Sequence, residues 1–239
     1  MKAKILIWNC NKSFRTKCSR FNKDNYDILI VSECENPREV VFPKNLLEKY
    51  SWKWIGKNKN SGLCVFVRID WKLRELEKYR YHGVSYILPV KVTAPSGAIT
   101  IFAVWACRGN HHEYRYIGQV WLYLKRMFAK IPTKGVLLAG DFNSNKIWDN
   151  KRENGNHSDV IRKLQSKGIE SVYHISQNES HGSETSNTLF MYRKKEKGYH
   201  IDYCFASEDV IKNKMEFNIG KYQRWIKHSD HMPLTFKMY

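Results

Sequence analysis

The sequence predicts an α/β fold in which a mixed sheet, or a sandwich of two sheets, carries helices on its outer faces. Apolar runs of strand length recur along the whole chain, and two longer stretches repeat their apolar residues at helical spacing. In the second half strands follow one another without an intervening helix. That order argues against a doubly wound parallel sheet, which needs regular strand and helix alternation.

In chain order the predicted strands are residues 4–8, 27–31, 63–67, 87–92, 99–105 and 136–139, then 188–192, 201–206 and 234–236. Trp52 and Trp54, two residues apart, are expected on the buried face of a further strand. The stretch 114–128 places Ile117, Val120, Trp121, Leu124 and Phe128 on one helical face. Val160, Ile161 and Leu164 do the same between Ser158, an expected N-cap, and Gly168, an expected C′ residue. The charged run Arg193-Lys194-Lys195-Glu196-Lys197, followed by Gly198, reads as a hairpin tip. No linker rich in Pro, Gly or Ser and no internal repeat divides the chain, so one domain over residues 1–239 is expected.

Hydrophobic residues at 42% and aromatic residues at 14% suffice for a sizeable core and exclude disordered, collagenous and coiled-coil classes. The 41 Lys and Arg residues against 23 Asp and Glu leave a net charge of +18, which favours a polyanionic partner. No run approaches the ~18 consecutive apolar residues of a membrane helix, and Ile5-Leu6-Ile7-Trp8 stops at Asn9, so neither stable membrane association nor a signal peptide is expected. Cys10, Cys18, Cys34, Cys64, Cys107 and Cys204 form no C-x-x-C pair, and most sit within or beside apolar runs. Reduced thiols and a cytoplasmic protein are the expectation, rather than a disulfide-bearing secreted one.

Polar residues cluster where apolar runs stop. They read Trp8-Asn9-Cys10-Asn11, Ser32-Glu33, Gly140-Asp141-Phe142-Asn143, Ile201-Asp202-Tyr203 and His228-Ser229-Asp230-His231. If the strands share a sheet, these ends converge on one edge and bring Glu33, Asp141, Asp202, Asp230 and His231 into a single cleft. Four such carboxylates cannot all ionise unaided, and an oxygen-rich set suits Mg²⁺ or Mn²⁺ rather than zinc. Among the other histidines, His111, His112, His157, His174 and His181 lack metal-ligand spacing and are expected at the surface or in loops. Lys57, Lys59, Lys146, Lys151, Arg152, Arg193, Lys194 and Lys195 are expected in loops that flank the cleft and track phosphates.

In register, these motifs resemble the Mg²⁺-dependent endonuclease/exonuclease/phosphatase superfamily, which includes abasic-site endonucleases and pancreatic-type deoxyribonucleases. Trp8-Asn9-x-Asn11, Glu33, Gly140-Asp141-Phe142-Asn143, Ile201-Asp202-Tyr203 and Ser229-Asp230-His231 match its landmarks over nearly the whole chain. The resemblance implies a four-layer sandwich of two mixed β-sheets flanked by helices, and a metal-dependent phosphodiesterase. It assigns the metal to Glu33, with Asn9 and Asp230 as further ligands or supports. It gives Asp141 the attacking water, Asn143 a phosphate oxygen, His231 the scissile phosphate as imidazolium or base, and Asp202 the orientation of the His231 ring.

Departures are equally specific. Ser32 precedes the metal-binding Glu33 where many nucleases carry Gln, and Asn11 stands where abasic-site enzymes tend to carry Asp. The strand that in relatives ends with a catalytic Tyr or His reads Ala103-Val104-Trp105-Ala106-Cys107-Arg108. Trp105 or Arg108 is expected to supply the missing donor, and with Asn11 to contact substrate. Tyr199-His200 precedes Ile201 where the abasic-site subgroup tends to carry Trp, which weakens a specific repair role. The charge favours a nuclease acting on DNA over a phosphatase or phosphodiesterase of a phosphorylated lipid or small molecule. The complete set of acids argues against a non-catalytic DNA-binding relative.

Overall fold

The computed structural model describes residues 1–21, 23–108, 114–149, 154–212 and 214–239. The strands of the first half are β1 (Ala3–Asn9), β2 (Ile28–Cys34), β3 (Tyr50–Asn58), β4 (Ser61–Arg68), β5 (Lys72–Glu75), β6 (Ile87–Ala94) and β7 (Gly97–Trp105). Those of the second half are β8 (Val136–Asp141), β9 (Ile169–Ser171), β10 (Leu189–Phe190), β11 (Gly198–Tyr199), β12 (Asp202–Ser207), β13 (Met215–Ile219) and β14 (Leu234–Met238). The helices are α1 (Phe14–Lys17), α2 (Lys44–Lys49), α3 (Ile117–Met127), α4 (His157–Gln165), α5 (Val172–Gln177), α6 (Glu208–Ile211) and α7 (Tyr222–Trp225).

Two six-stranded sheets result, ordered β13-β14-β1-β2-β4-β3 and β5-β6-β7-β8-β12-β9. Each is mixed: β1 pairs with β2, and β7 with β8, in parallel, while their other neighbours run antiparallel. Both faces of each central strand are covered, which explains why β1 reads as an unbroken apolar run. Ile5 and Ile7 face the second sheet, where they meet residues such as Ile101, Leu137 and Ala139. Leu6 and Trp8 face outward into a cluster with Phe14, Phe21, Leu46 and Trp225 of the short flanking helices. On the far side of the second sheet, Phe102, Leu138 and Phe205 pack against Val120 and Leu124 of α3 and Val160 and Leu164 of α4. The layers are therefore helix, sheet, sheet, helix, and the alternative of one mixed sheet is set aside.

Several local expectations change. The helix predicted over 114–128 begins at Ile117, and residues 128–130 tighten into a 3₁₀ turn. Asn156, not Ser158, caps α4, its side chain accepting from the Asp159 backbone N–H at 3.0 Å. Ser158 instead donates to Asp149. The strand predicted over 188–192 contracts to Leu189–Phe190, paired with Gly198–Tyr199, so the charged run does form the tip of a hairpin. Trp52 and Trp54 are half-buried on β3 and pack against the outer core of the first sheet. All six cysteines are free thiols. Among the described residues no helix is long and apolar enough to cross a membrane.

The histidines depart furthest from expectation. His157, the first residue of α4, is buried with its ring nitrogens 3.2 Å from Ser144 Oγ and His181 Nδ1, and His174 is buried on α5 against Ser171 and Glu184. His111, His112, Lys151 and Arg152 lie outside the described residues. Burial pushes the His157 and His200 imidazoles down to about 4. They are neutral in the fold, whereas the unfolded chain protonates them below about 6.5. The contribution of these two imidazoles to stability is therefore full above pH 6.5 and declines as pH falls from there toward 4. Between pH 7 and pH 5 the chelator-treated wild type should lose more melting temperature than a His157→Gln variant does; an equal change in both would contradict a neutral buried His157.

Candidate active site

Asn9, the last residue of β1, connects the two sheets. Its Nδ2 donates to Asp141 Oδ2 at 2.9 Å across the sandwich and to Glu33 Oε1 at 3.2 Å on the neighbouring strand. Its Oδ1 accepts from the Asn11 backbone N–H at 3.0 Å. Glu33 is the extra residue of a bulge where the β2–β4 register shifts between Ser32 and Cys34, and its backbone has φ 58°. A bulge interrupts the inward and outward alternation. Ser32 and Cys34 are both buried, while the Glu33 carboxylate between them remains partly exposed.

Asp141 ends β8. Gly140 before it has φ +144°, and a Cβ there would lie 1.9 Å from the Val104 carbonyl oxygen, so only glycine lets β8 run this close to β7. After it the chain turns: the Asn143 backbone N–H donates to Asp141 Oδ1 at 2.8 Å and Asn143 Nδ2 to Oδ2 at 2.9 Å. This is the local bonding by which Asp favours a turn at a strand end.

Asp202 opens β12 directly opposite Asp141 in the antiparallel register. Thr188 Oγ1 accepts from the backbone N–H groups of Ile201 and Asp202 at 2.9 and 3.0 Å, which fixes where the strand starts. His231 Nδ1 donates to Asp202 Oδ2 at 2.9 Å. The His231 backbone N–H donates to Ser229 Oγ at 3.0 Å, and its carbonyl accepts from Trp8 Nε1 at 3.0 Å. Ser229 Oγ in turn donates to the Asn9 carbonyl at 2.8 Å. Asp230 Oδ1 accepts from Asn11 Nδ2 at 2.8 Å.

The charges are strongly coupled. Burial, then the neighbouring Asp202 charge, pushes Asp141 up to about 7, against the pull of His231, Asn9 and Asn143. Burial disfavours a charged His231, but Asp202, Asp141 and Asp230 outweigh it and push its imidazole up to about 10. One ligand atom each from Asp141, Asp202 and His231 lies within 4.8 Å of the others. Asp202 Oδ1 is buried without a hydrogen-bond partner among the described residues. An orphaned carboxylate oxygen and a second buried carboxylate close to it are oxygen donors of the kind that fits a hard divalent cation, and Glu33, outside that group, is tied to it through Asn9. His231 fits less well as a ligand, because its Nδ1 is committed to Asp202 and a protonated ring has no lone pair to give.

The sequence profile of the Endonuclease/Exonuclease/phosphatase family matches residues 6–221. The chain belongs to this family. Among solved structures it is similar to the endonuclease domain of TRAS1, a telomere-specific non-LTR retrotransposon (TM-score 0.69, 14% identity, covering 100% of this chain and 98% of that one). It is also similar to the 3′-5′ exonuclease NExo of Neisseria meningitidis (0.72, 18%, covering 98% and 99%). A third is the AP endonuclease LMAP of Leishmania major (0.71, 13%, covering 99% and 87%). No curated protein sequence matches. At these identities the likeness establishes the fold.

Within this family member, Asn9, Asn11, Glu33, Asp141, Asn143, Asp202, Asp230 and His231 fall into one hydrogen-bonded neighbourhood. Trp105 ends β7 beside Asp141 in the parallel register, its ring 4.6 Å from that of Tyr86, while Arg108 is exposed beyond it. Neither belongs to the bonded set above. Sequence reading gave no role to Thr188 and none to Ser229 beyond its place in a motif. A lone threonine at a strand start carries no signal that its hydroxyl will hold a distant strand.

Gly140→Ala should cost about 3 kcal/mol or more, because strain at positive φ adds to a backbone clash that no side-chain rotation relieves. Chemical denaturation checks this, and a variant as stable as the parent would contradict the close approach.

Proposed function

We propose that this protein is a Mg²⁺-dependent nuclease that hydrolyses DNA phosphodiester bonds by in-line attack of water on phosphorus, with no covalent intermediate. The observation that carries the reading is the closed set of Asp141, Asp202 and His231, with Glu33 and Asn9 at its border, where the ends of two sheets meet. Glu33, with Asn9 and Asp230 as supports and the unpartnered Asp202 Oδ1 turned to the same cation, would hold Mg²⁺ or Mn²⁺, which when bound neutralises charge on the phosphate and the leaving oxygen.

The chain's own groups divide the remaining work. Asp141, raised to about 7, is suited to take a proton from the attacking water near neutral pH. His231 is an imidazolium oriented by Asp202, so through Nε2 it would donate to a phosphate oxygen and stabilise charge as it develops, rather than act as the base. Asn143, Asn11, Trp105 and Arg108 would contact the substrate backbone.

A polymeric substrate is favoured by the net charge of +18. Beside the site a groove lined by Arg115, Trp121, Lys125, Trp148 and Asn143 offers cations and aromatic faces to phosphates and bases. Three of the solved structures it resembles are named as endonucleases or an exonuclease, which agrees with this choice, and another is named as a 3′ phosphatase bound to product DNA. The same family name covers phosphatases, so a phosphorylated lipid or small molecule is the competing substrate. The whole chain would act as one catalytic unit in the cytoplasm.

Supercoiled plasmid should be nicked with Mg²⁺ and left intact with chelator. His231→Ala or Glu33→Ala should each lower the rate by about three orders of magnitude. Binding should weaken with salt at a log–log slope near −0.9 per phosphate contacted. Folded protein that leaves DNA intact but cleaves soluble phosphomonoesters with weak salt dependence would overturn the nuclease reading.

A further inference from the structure

A second cluster lies behind the active-site loop and takes no part in the reaction above. His174 sits on α5, and the loop that follows returns over it with His181 and Glu184, three ligand-type residues within eleven positions. One ring nitrogen of each histidine and one carboxylate oxygen of Glu184 lie within 4.8 Å of one another. The two rings stack with centroids 3.6 Å apart. From these residues we infer a second metal site, distinct in chemistry from the catalytic one, that takes a borderline-soft divalent ion of the zinc class through His174, His181 and Glu184.

Each of the three ligands is held in place by a neighbour. Metal-bound imidazoles and carboxylates almost always have their other polar atom fixed by a neighbour. His174 Nδ1 is 2.7 Å from Ser171 Oγ, which leaves Nε2 facing Glu184 Oε1 at 3.1 Å. His181 Nδ1 is 3.2 Å from His157 Nε2, and His157 Nδ1 is in turn 3.2 Å from Ser144 Oγ, which leaves His181 Nε2 uncommitted by this chain of contacts. Glu184 Oε2 accepts from Asn145 Nδ2 at 3.1 Å and the Gly182 backbone N–H at 3.0 Å, which leaves Oε1. Each ligand is thus tethered through its other polar atom, and a metal would replace the His174 Nε2–Glu184 Oε1 contact, with the Nε2 proton leaving to solvent.

A fourth imidazole packs nearby. His200 packs beside His174 with ring centroids 5.9 Å apart, donates through Nδ1 to the Ser186 carbonyl at 2.8 Å, and keeps a buried Nε2 with no partner among the described residues. His200 lies outside the converging group, so the fourth coordination position falls to water. Ligand atoms around a tetrahedral zinc at ~2.0–2.1 Å lie ~3.3 Å apart, so the cluster needs only side-chain adjustment to close. Nitrogen-rich ligands of this kind select zinc-class ions over Mg²⁺, the reverse of the oxygen set at Asp141 and Asp202. The ion would be structural. Asn145, which bonds Glu184, also bonds the His200 carbonyl, so the metal would brace the loop after Asn143 and the approach to Asp202.

Chelator-stripped full-length protein, dialysed against Zn²⁺ with excess Mg²⁺ and analysed by elemental mass spectrometry, tests this. Wild type and His231→Ala should each retain one Zn²⁺ per chain, and Co²⁺ in its place should give the visible absorption of a four-coordinate site. His181→Ala, at a partly exposed position, and the isosteric Glu184→Gln should both remain folded by circular dichroism and bind zinc about a hundredfold more weakly. Folded wild type that holds no zinc against Mg²⁺ would overturn the site. So would zinc that survives His181→Ala and Glu184→Gln but disappears in His231→Ala, which would place the ion at the catalytic cluster.

Discussion

Asp141 and Asp202 face one another across adjacent antiparallel strands, and both are buried. Like charges directly opposite in a ladder repel, and burial denies them water. The surroundings answer this constraint group by group. Asn9 and Asn143 present amide hydrogens to Asp141, His231 presents a charged N–H to Asp202, and one carboxylate oxygen still has no partner. What the protein donors leave uncompensated is the demand a divalent cation would meet.

The two-sheet architecture makes that meeting possible. Asn9 comes from the centre of one sheet and Asp141 from the centre of the other, so the contact that orients the acids is also a contact between sheets. Backbone strain collects at the same place, with Asn11, Glu33 and Asn143 all at positive φ. Residues held in such conformations mark sites where the surrounding structure dictates geometry. Here contacts from far along the chain help to dictate it: Trp8 holds the His231 carbonyl, Ser229 holds the Asn9 carbonyl, and Thr188 fixes the start of the Asp202 strand.

Much of this was legible in the sequence because polar residues at the ends of apolar runs are conspicuous. Asn9, Glu33, Asp141, Asp202 and His231 each interrupt or follow a run that otherwise reads as buried strand, and their convergence follows once the runs share a fold. The bulge at Glu33 was not legible, since Ser-Glu-Cys announces no change of register. The buried histidines were misread for a related reason. His157 meets His181 from 24 residues away, and what buries His174 is a loop whose path no periodicity reveals. Trp105 and Arg108 were singled out by position in the family pattern, and the structure keeps them outside the bonded cluster.

Neutralising one of the opposed carboxylates shows what their repulsion costs. Thermal melting of the wild type and Asp141→Asn, first in chelator and then across a Mg²⁺ titration, separates the cost of the buried charge from its use. The account predicts that the chelated variant melts above the chelated wild type, and that Mg²⁺ raises the wild type by more than the variant. A variant that melts lower in chelator, or an equal response of both proteins to Mg²⁺, would contradict it.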